Sequence, residues 1–276
     1  MDWSKAKNIL IAVLVALNVF LLINNNIYSK ESKVSSETVE NTIKALEAKG
    51  VTVNCEIPRT ETNPGRLTYE DYKLDAKEIA QKLLGNIKLP GQPVYNQKIT
   101  NGDKELTFEN SNLFDYTDTN PKSSLNISDK SKVEQYVKSY LGKIGLPVSE
   151  FSLDSYEREN KDCINLVYYQ KYKGYIVFDS YSKVTVTNKG ITALKCSYKK
   201  PLDITDKSSK KIVSVCQILL KEYMDPGRQN ISGINLGFLE YNLENNTREY
   251  YDRPVWRITT GDGKYSYFSV DGTKLQ

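Results

Sequence analysis

The stretches 131-SKVEQYVKSYLGKIGLP-147 and 164-INLVYYQKYKGYIVFDSYSKVTVTNKGITALKCSY-198 decide the fold class. In the first, Val133, Tyr136, Val137, Tyr140, Leu141 and Ile144 recur at spacings of three and four, which lines them along one helix face. Ser131 and Glu134 are placed to open this helix, and Gly145 and Pro147 to end it. In the second stretch the period falls to two. Strands are expected at 151–156, 164–172, 175–180, 183–187 and 191–198, with Lys173-Gly174 and Asn188-Lys189-Gly190 as hairpin turns. A helix followed by hairpin-linked strands predicts an antiparallel sheet with the helix across one face.

The order recurs downstream. A helix over 208–223 has Ile212, Val215, Cys216, Leu219, Leu220 and Tyr223 on its apolar face, and Pro226-Gly227 stops it. Strands at 234–243, 255–260 and 265–270 follow, with Gly261-Asp262-Gly263 turning the last hairpin. The region 126–276 therefore reads as an α+β domain with two helix–sheet repeats, weak in residues but visible in element order. Upstream, 37–121 reads as a second α+β region. It holds a helix at 37–49 with Val39, Ile43 and Leu46 on one face, capped by Ser35 or Ser36 and closed by Gly50. A strand at 51–57 follows, then a helix from the Asp75/Glu78 capping box through Leu84 to Gly85. Short strands at 94–99 and 106–108 come next. The polar run 112–120, with Pro121, Ser123 and Ser124, reads as a connection and internal boundary.

The N-terminal run 9-ILIAVLVALNVFLLI-23 is apolar apart from Asn18. Its fifteen residues rise ~22 Å as a helix, short of a ~30 Å hydrocarbon core. Taken over 8–27, with Trp3 and Tyr28 as interfacial rings, the segment predicts a transmembrane helix in contact with membrane lipid. Residues 1–7 form a short cytoplasmic tail in this reading, 28–36 a polar stalk, and the rest lies outside the cell membrane. Lys5 and Lys7 precede the span and Lys30 and Lys33 follow it. Orientation therefore rests more on the size of the C-terminal part than on charge. The alternative is a cleaved signal peptide, against which no A-x-A-like site follows the run. Ile11, Val15, Asn18 and Leu22 share one helix face. In lipid, Asn18 would seek a hydrogen-bond partner on another helix, which makes this face a candidate partner contact. Ala12 and Ala16 form a small-xxx-small pair on a second face.

Composition excludes several classes. The chain has no histidine, which removes Ser-His-Asp and Cys-His catalysis and His-ligated zinc. A net charge of +4 from 38 basic and 34 acidic residues, without a basic block, gives no footprint for nucleic acid. Twenty tyrosines suit a strand-rich body. Cys55, Cys163, Cys196 and Cys216 form no C-x-x-C pair. They read as free buried thiols or, outside the cell, as disulfides, with Cys163–Cys196 a conceivable pair. Asp115 and Asp118 lack the ligand spacing and glycine of a calcium loop. Glu240, Glu244 and Glu249 read as solvated charge and not as a glycosidase pair. No catalytic, metal or cofactor site is assigned.

The opening 1-MDWSKAKNILIAVLVALNVFLLI-23 resembles the start of the YycI family in its Asp-Trp-Ser-Lys tetrad and its Asn18-Val19-Phe20-Leu21 stretch. The C-terminal 254-PVWRITTGDGKYSYFSVDGTKLQ-276 fits the same family and looks like the ending of PepSY-type modules, with a Trp strand and an Asp271-Gly272 turn. The region 51–121 matches nothing residue by residue. The resemblance implies a regulator and not an enzyme. Its expected partners are a sensor histidine kinase of the YycG (WalK) type, which controls cell-wall metabolism, and a YycH-like companion. Contact would run through the transmembrane helix and extracytoplasmic domains, with the Asn18 face as the kinase contact. An anchored PepSY-like peptidase inhibitor and a wall-associated binding scaffold are the competing readings.

Overall fold

The computed structural model describes residues 3–31, 33–85, 87, 91, 94–205, 211–224, 229–240 and 251–275; within 3–31, side chains are described for 3 and 7–21. Five helices lie among these residues: α1 (Trp3–Glu31), α2 (Ser36–Glu47), α3 (Ala76–Leu84), α4 (Lys130–Lys143) and α5 (Val215–Glu222). The strands are β1 (Val51–Val53), β2 (Arg66–Tyr69), β3 (Lys98–Asn101), β4 (Lys104–Phe108), β5 (Leu113–Asp118), β6 (Phe151–Asn160) and β7 (Cys163–Tyr172). They continue with β8 (Tyr175–Thr187), β9 (Gly190–Ser197), β10 (Pro201–Thr205), β11 (Gln229–Leu239), β12 (Tyr251–Thr260) and β13 (Tyr265–Ser269). The class is α+β, as expected, with a large and mainly antiparallel sheet. Among the described residues β1 pairs parallel with β11, and so does β8.

Local chemistry sets most helix starts. Ser35 accepts a hydrogen bond from the Thr38 amide at 3.0 Å, and Asp75 accepts one from the Glu78 amide at 2.9 Å. Each such cap contributes about 1 kcal/mol. α4 begins earlier than expected, because Asp129 and not Ser131 caps it, accepting from the Lys132 amide at 3.2 Å. α5 begins later than expected. The Ile212 amide donates to Glu61 O and the Val213 amide to Val270 O, so this backbone is committed elsewhere. The helix can start only once Ser214 caps it. Residues 208–210 and 226–227, also part of that expectation, lie outside the described residues, as do 241–243 of the strand expected at 234–243.

The chain divides into two compact units. The first comprises Met1–Pro64, Lys207–Asn235 and Trp256–Gln276, and the second Gly65–Asp206 and Leu236–Val255. In the first unit, α2 packs against α5, and β1 lies parallel to β11 over Val51–Val53 only. The strand expected at 51–57 is cut short there. Trp256 on β12 is fully buried and donates its indole N–H to Val213 O at 3.1 Å. The Asp271-Gly272 turn closes the chain after β13, with Gly272 at φ 82°.

In the second unit, α3 and α4 cover one face of the strands β4, β5, β7, β8 and β9. Leu83, Val133, Val137 and Leu141 from the helices meet Phe108, Phe114, Leu166, Tyr168 and Val184 from the strands, all nearly inaccessible to water. Burying side chains of this size contributes roughly 1.5–3 kcal/mol each before entropy is counted. The run 112–120, expected as a connection, instead contains β5, bonded between β4 and β9. Phe114, Tyr116 and Asp118 face inward while Asp115 and Thr117 face out, a strand alternation whose outer positions happen to be turn-forming residues.

The strands expected at 175–180 and 183–187 are one strand, β8, interrupted by a bulge. Tyr169 pairs with Tyr181 and Gln170 with Val177, so Phe178, Asp179 and Ser180 have no partner on β7. Before the bulge, at Ile176 and Val177, β8 pairs parallel with Gly237 and Phe238 of β11. Gly237 is required there, because a Cβ would lie 2.4 Å from the Ile176 carbonyl oxygen. All four cysteines are free thiols. Cys163 pairs with Thr187 and Cys196 with Ser182, so β8 runs between β7 and β9 and separates the two sulfurs. Two strand spacings, ~10 Å, exceed the reach of a disulfide, which corrects the pairing considered from sequence.

Candidate functional site

The first candidate surface is α1. Its backbone is helical from Trp3 to Glu31, and every described side chain from Lys7 to Leu21 is exposed. Ile9, Ile11, Leu14, Val15 and Phe20 are each about half exposed or more. Among the described residues no helix is long and apolar enough to cross a membrane. The apolar side chains of α1 nevertheless make a continuous uncovered surface, of a kind that marks contact with lipid or a partner. Ile11, Val15, Asn18, Ala12 and Ala16 are all exposed, like every other described side chain of this stretch. The side chain of Leu22 is outside the described residues. The Asn18 amide donates to the Leu14 carbonyl at 2.9 Å, one turn back, which satisfies one of its two N–H groups within the helix.

The second candidate is a charged cluster in the second unit that sequence reading missed. The β8 bulge turns Asp179 out of register, as bulges commonly re-aim a side chain. Its Oδ2 accepts from the Glu240 amide at 2.6 Å. Lys199, just past β9, reaches the same point. Its Nζ lies 3.0 Å from Glu240, 3.0 Å from Asp252 and 3.7 Å from Asp179. Tyr69 on β2 donates its hydroxyl to Asp252 Oδ2 at 2.5 Å. The Asp252 side chain is 2% exposed and that of Lys199 20%.

Burial sets the electrostatics. It pushes the Asp252 carboxyl up to about 6, against the pull of Lys199. Burial likewise raises Asp179, which Lys199 partly offsets. Lys199 itself is held above the ordinary lysine value, because Asp252 and Asp179 outweigh its own desolvation. Burial and the neighbouring Asp252 raise the Tyr69 hydroxyl. The three carboxylates each bring an oxygen within 4.8 Å of the others, a spacing that could hold a cation. The Lys199 ammonium already sits among them. The cluster ties Glu240 and Asp252, the residues flanking the β11–β12 connection, to β8 and to the end of β9. Glu240, read from sequence as solvated charge, is a member. Glu244 and Glu249 lie outside the described residues. No sequence spacing announces the cluster, since Tyr69 and Asp252 are 183 positions apart.

Asp115 pairs with Lys195 at 3.1 Å on the outer face of the sheet, and Asp118 points the other way into the helix-covered side. They do not share a site. No curated protein matches the chain in sequence. A family model described as YycI protein matches residues 29–273, which begins beyond the whole of the N-terminal apolar run and takes in most of both compact units. The chain belongs to the YycI family.

Proposed function

We propose that the chain is a non-catalytic, membrane-anchored, extracytoplasmic regulator of a two-component sensor histidine kinase of the YycG (WalK) type, acting with a YycH-like companion. Family membership supports the regulatory class and these partners. The observation that carries the anchored mode of action is the uncovered apolar surface of α1. In water this surface would remain unfavourably hydrated, and lipid or another membrane helix removes that cost. The sequence over 8–27 supplies about 20 residues, and at ~1.5 Å per residue that length meets a ~30 Å core. The N-terminus lies in the cytoplasm in this reading and 28–276 outside.

The face of Ile11, Val15, Asn18 and Leu22 is the proposed kinase contact, with Ala12 and Ala16 allowing close approach on the second face. Asn18 keeps its Oδ1 and one N–H for a helix partner, a hydrogen bond worth ~0.6–2 kcal/mol in lipid. The test replaces residues 8–27 with an unrelated membrane span and measures kinase output with a transcriptional reporter. Loss of regulation with retained membrane localisation is the expected result. Unchanged regulation would move the function to the extracytoplasmic part. Photo-crosslinking from position 18 in native membranes checks the partners, and recovery of neither a kinase nor a YycH-like protein would sink the assignment.

A further inference from the structure

In the second unit a cavity of about 470 Å³ opens beside the C-terminal end of α3, the β3–β4 hairpin, the end of β5 and one flank of α4. Asp118 stands in its wall, only 7% exposed. Its Oδ1 accepts from the Asn120 amide at 3.0 Å, and its Oδ2 accepts a long bond of 3.4 Å from the Tyr116 hydroxyl. Tyr140 lines the same space beside Tyr116. Tyr136 stacks at a tilt against Tyr140, with ring centres 6.5 Å apart, and its hydroxyl lies 3.0 Å from Ser123 Oγ. Phenol hydroxyls and the Asp118 and Asp103 carboxylates thus line a space of ligand size, with Lys104 and Lys122 also in its wall.

The position of Lys104 makes the carboxylate unusual. Lys104 and Asp118 are direct cross-strand partners on β4 and β5, where opposite charges ordinarily pair. Here the Lys104 ammonium turns away and donates to Leu83 O at 3.0 Å, while Asn101 Nδ2 donates to Leu84 O at 2.8 Å. Both side chains satisfy carbonyls at the C-terminus of α3, where the helix dipole favours a cation. Asp118 is left nine-tenths buried with no ion pair among the described residues. A buried carboxylate is costly unless a cation or enough donors meet it. One buried carboxylate and the exposed Asp103, among phenols and lysines, make a poor set for calcium, which takes six to eight oxygen ligands. It suits a group that carries its own three donors and an apolar stem.

We propose that this cavity binds a primary alkylammonium group, such as the side-chain or terminal amine of a peptide. Asp118 is the charge partner, the Tyr116 and Tyr140 oxygens accept remaining N–H bonds, and the Tyr136 and Tyr140 rings line the stem. Charge-assisted bonds of this kind are about twice as strong as neutral ones.

The experiment titrates the full chain in detergent micelles with butylammonium chloride, read by saturation-transfer NMR on the butyl protons. Sodium butyrate and calcium chloride are the comparators. Saturable binding of butylammonium is expected, weakened by about tenfold or more in Asp118→Asn and to a lesser degree in Tyr140→Phe. Thermal melts confirm that the variants fold. If Asp118→Asn melts early, Tyr140→Phe decides alone, since it keeps the carboxylate, and unchanged affinity there overturns the proposal. Equal binding by wild type and Asp118→Asn, butyrate binding as strong as butylammonium, displacement by calcium, or no saturable signal each overturn it as well.

Discussion

Replacing Lys199 with methionine removes the only cation within salt-bridge distance of Asp252 among the described residues. The Asp252 side chain, 2% exposed, would then keep the Tyr69 hydroxyl and lose its counter-charge 3.0 Å away. Breaking a buried pair from one side costs about 3–5 kcal/mol. Lys199 is a fifth exposed and Glu240 is 58% exposed, so the Glu240 contact adds little and the low end, about 3 kcal/mol, applies near neutral pH. At roughly 2–4 °C per kcal/mol, the midpoint of thermal unfolding should fall by about 6–12 °C. The effect should depend on pH with a definite sign. The folded Asp252 carboxyl titrates at about 6, above the ~3.9 of an unfolded aspartate. A raised carboxyl contributes stability below the unfolded value and loses it as pH climbs through the folded value. Without Lys199 the folded values of Asp252 and Asp179 rise further, so the loss extends to higher pH and deepens. Differential scanning calorimetry of wild type and Lys199→Met should therefore show a large gap near pH ~7.5 and a gap of about 1 kcal/mol or less near pH ~4.5. A gap of equal size at both pH values, or one under about 2 °C near neutrality, would refute the assignment of Lys199 as the counter-charge.

Other substitutions probe the frame around the site. Trp256→Phe removes an indole donor and leaves the half-buried Val213 carbonyl without it, a loss of about 1–2 kcal/mol measurable by urea denaturation. Gly237→Ala forces a methyl group against the Ile176 carbonyl oxygen and should cost at least ~2 kcal/mol through separation of β8 from β11. Hydrogen exchange would show it as earlier opening at Ile176 and Val177. The Cys196 thiol, pushed up to about 12 by complete burial, should stay unmodified by iodoacetamide at mildly alkaline pH until the protein unfolds, as mass spectrometry can follow.

Features with a local cause are the ones that could be read in the sequence. The Asp75/Glu78 pair marks α3 because the cap and its target amide are three residues apart. The β7–β8 and β8–β9 hairpins were legible because their turns name themselves at Lys173-Gly174 and Asn188-Lys189-Gly190. Position 129 was overlooked as a cap because Ser131 offers the same chemistry two residues later. β5 was hidden because its outward residues, Asp115 and Thr117, belong to the turn-forming set, while the alternation of Phe114, Tyr116 and Asp118 carried the true signal. β2 and β10 are short and pair with each other across some 135 positions, so nothing near either one marks it. The same holds for the Lys199 cluster, whose members come from five separate places in the chain. The two α1 faces follow from the helical period itself, which fixes which side chains share a face and not what they touch.

The composition of the first unit from three separate segments bears on the order in which the chain can fold as it is made. Val51 on β1 must wait for Gln229, and α2 for α5. The second unit is equally incomplete until Leu236–Val255 has emerged. Synthesis supplies residues at roughly 5–20 per second, so the early segments stay without their partners for about 9–36 seconds. A chain ending before position 250 would lack material from both units at once. Neither unit can therefore close on its own until the late segments have emerged, and residues 34–64 are the part of the first unit that waits longest.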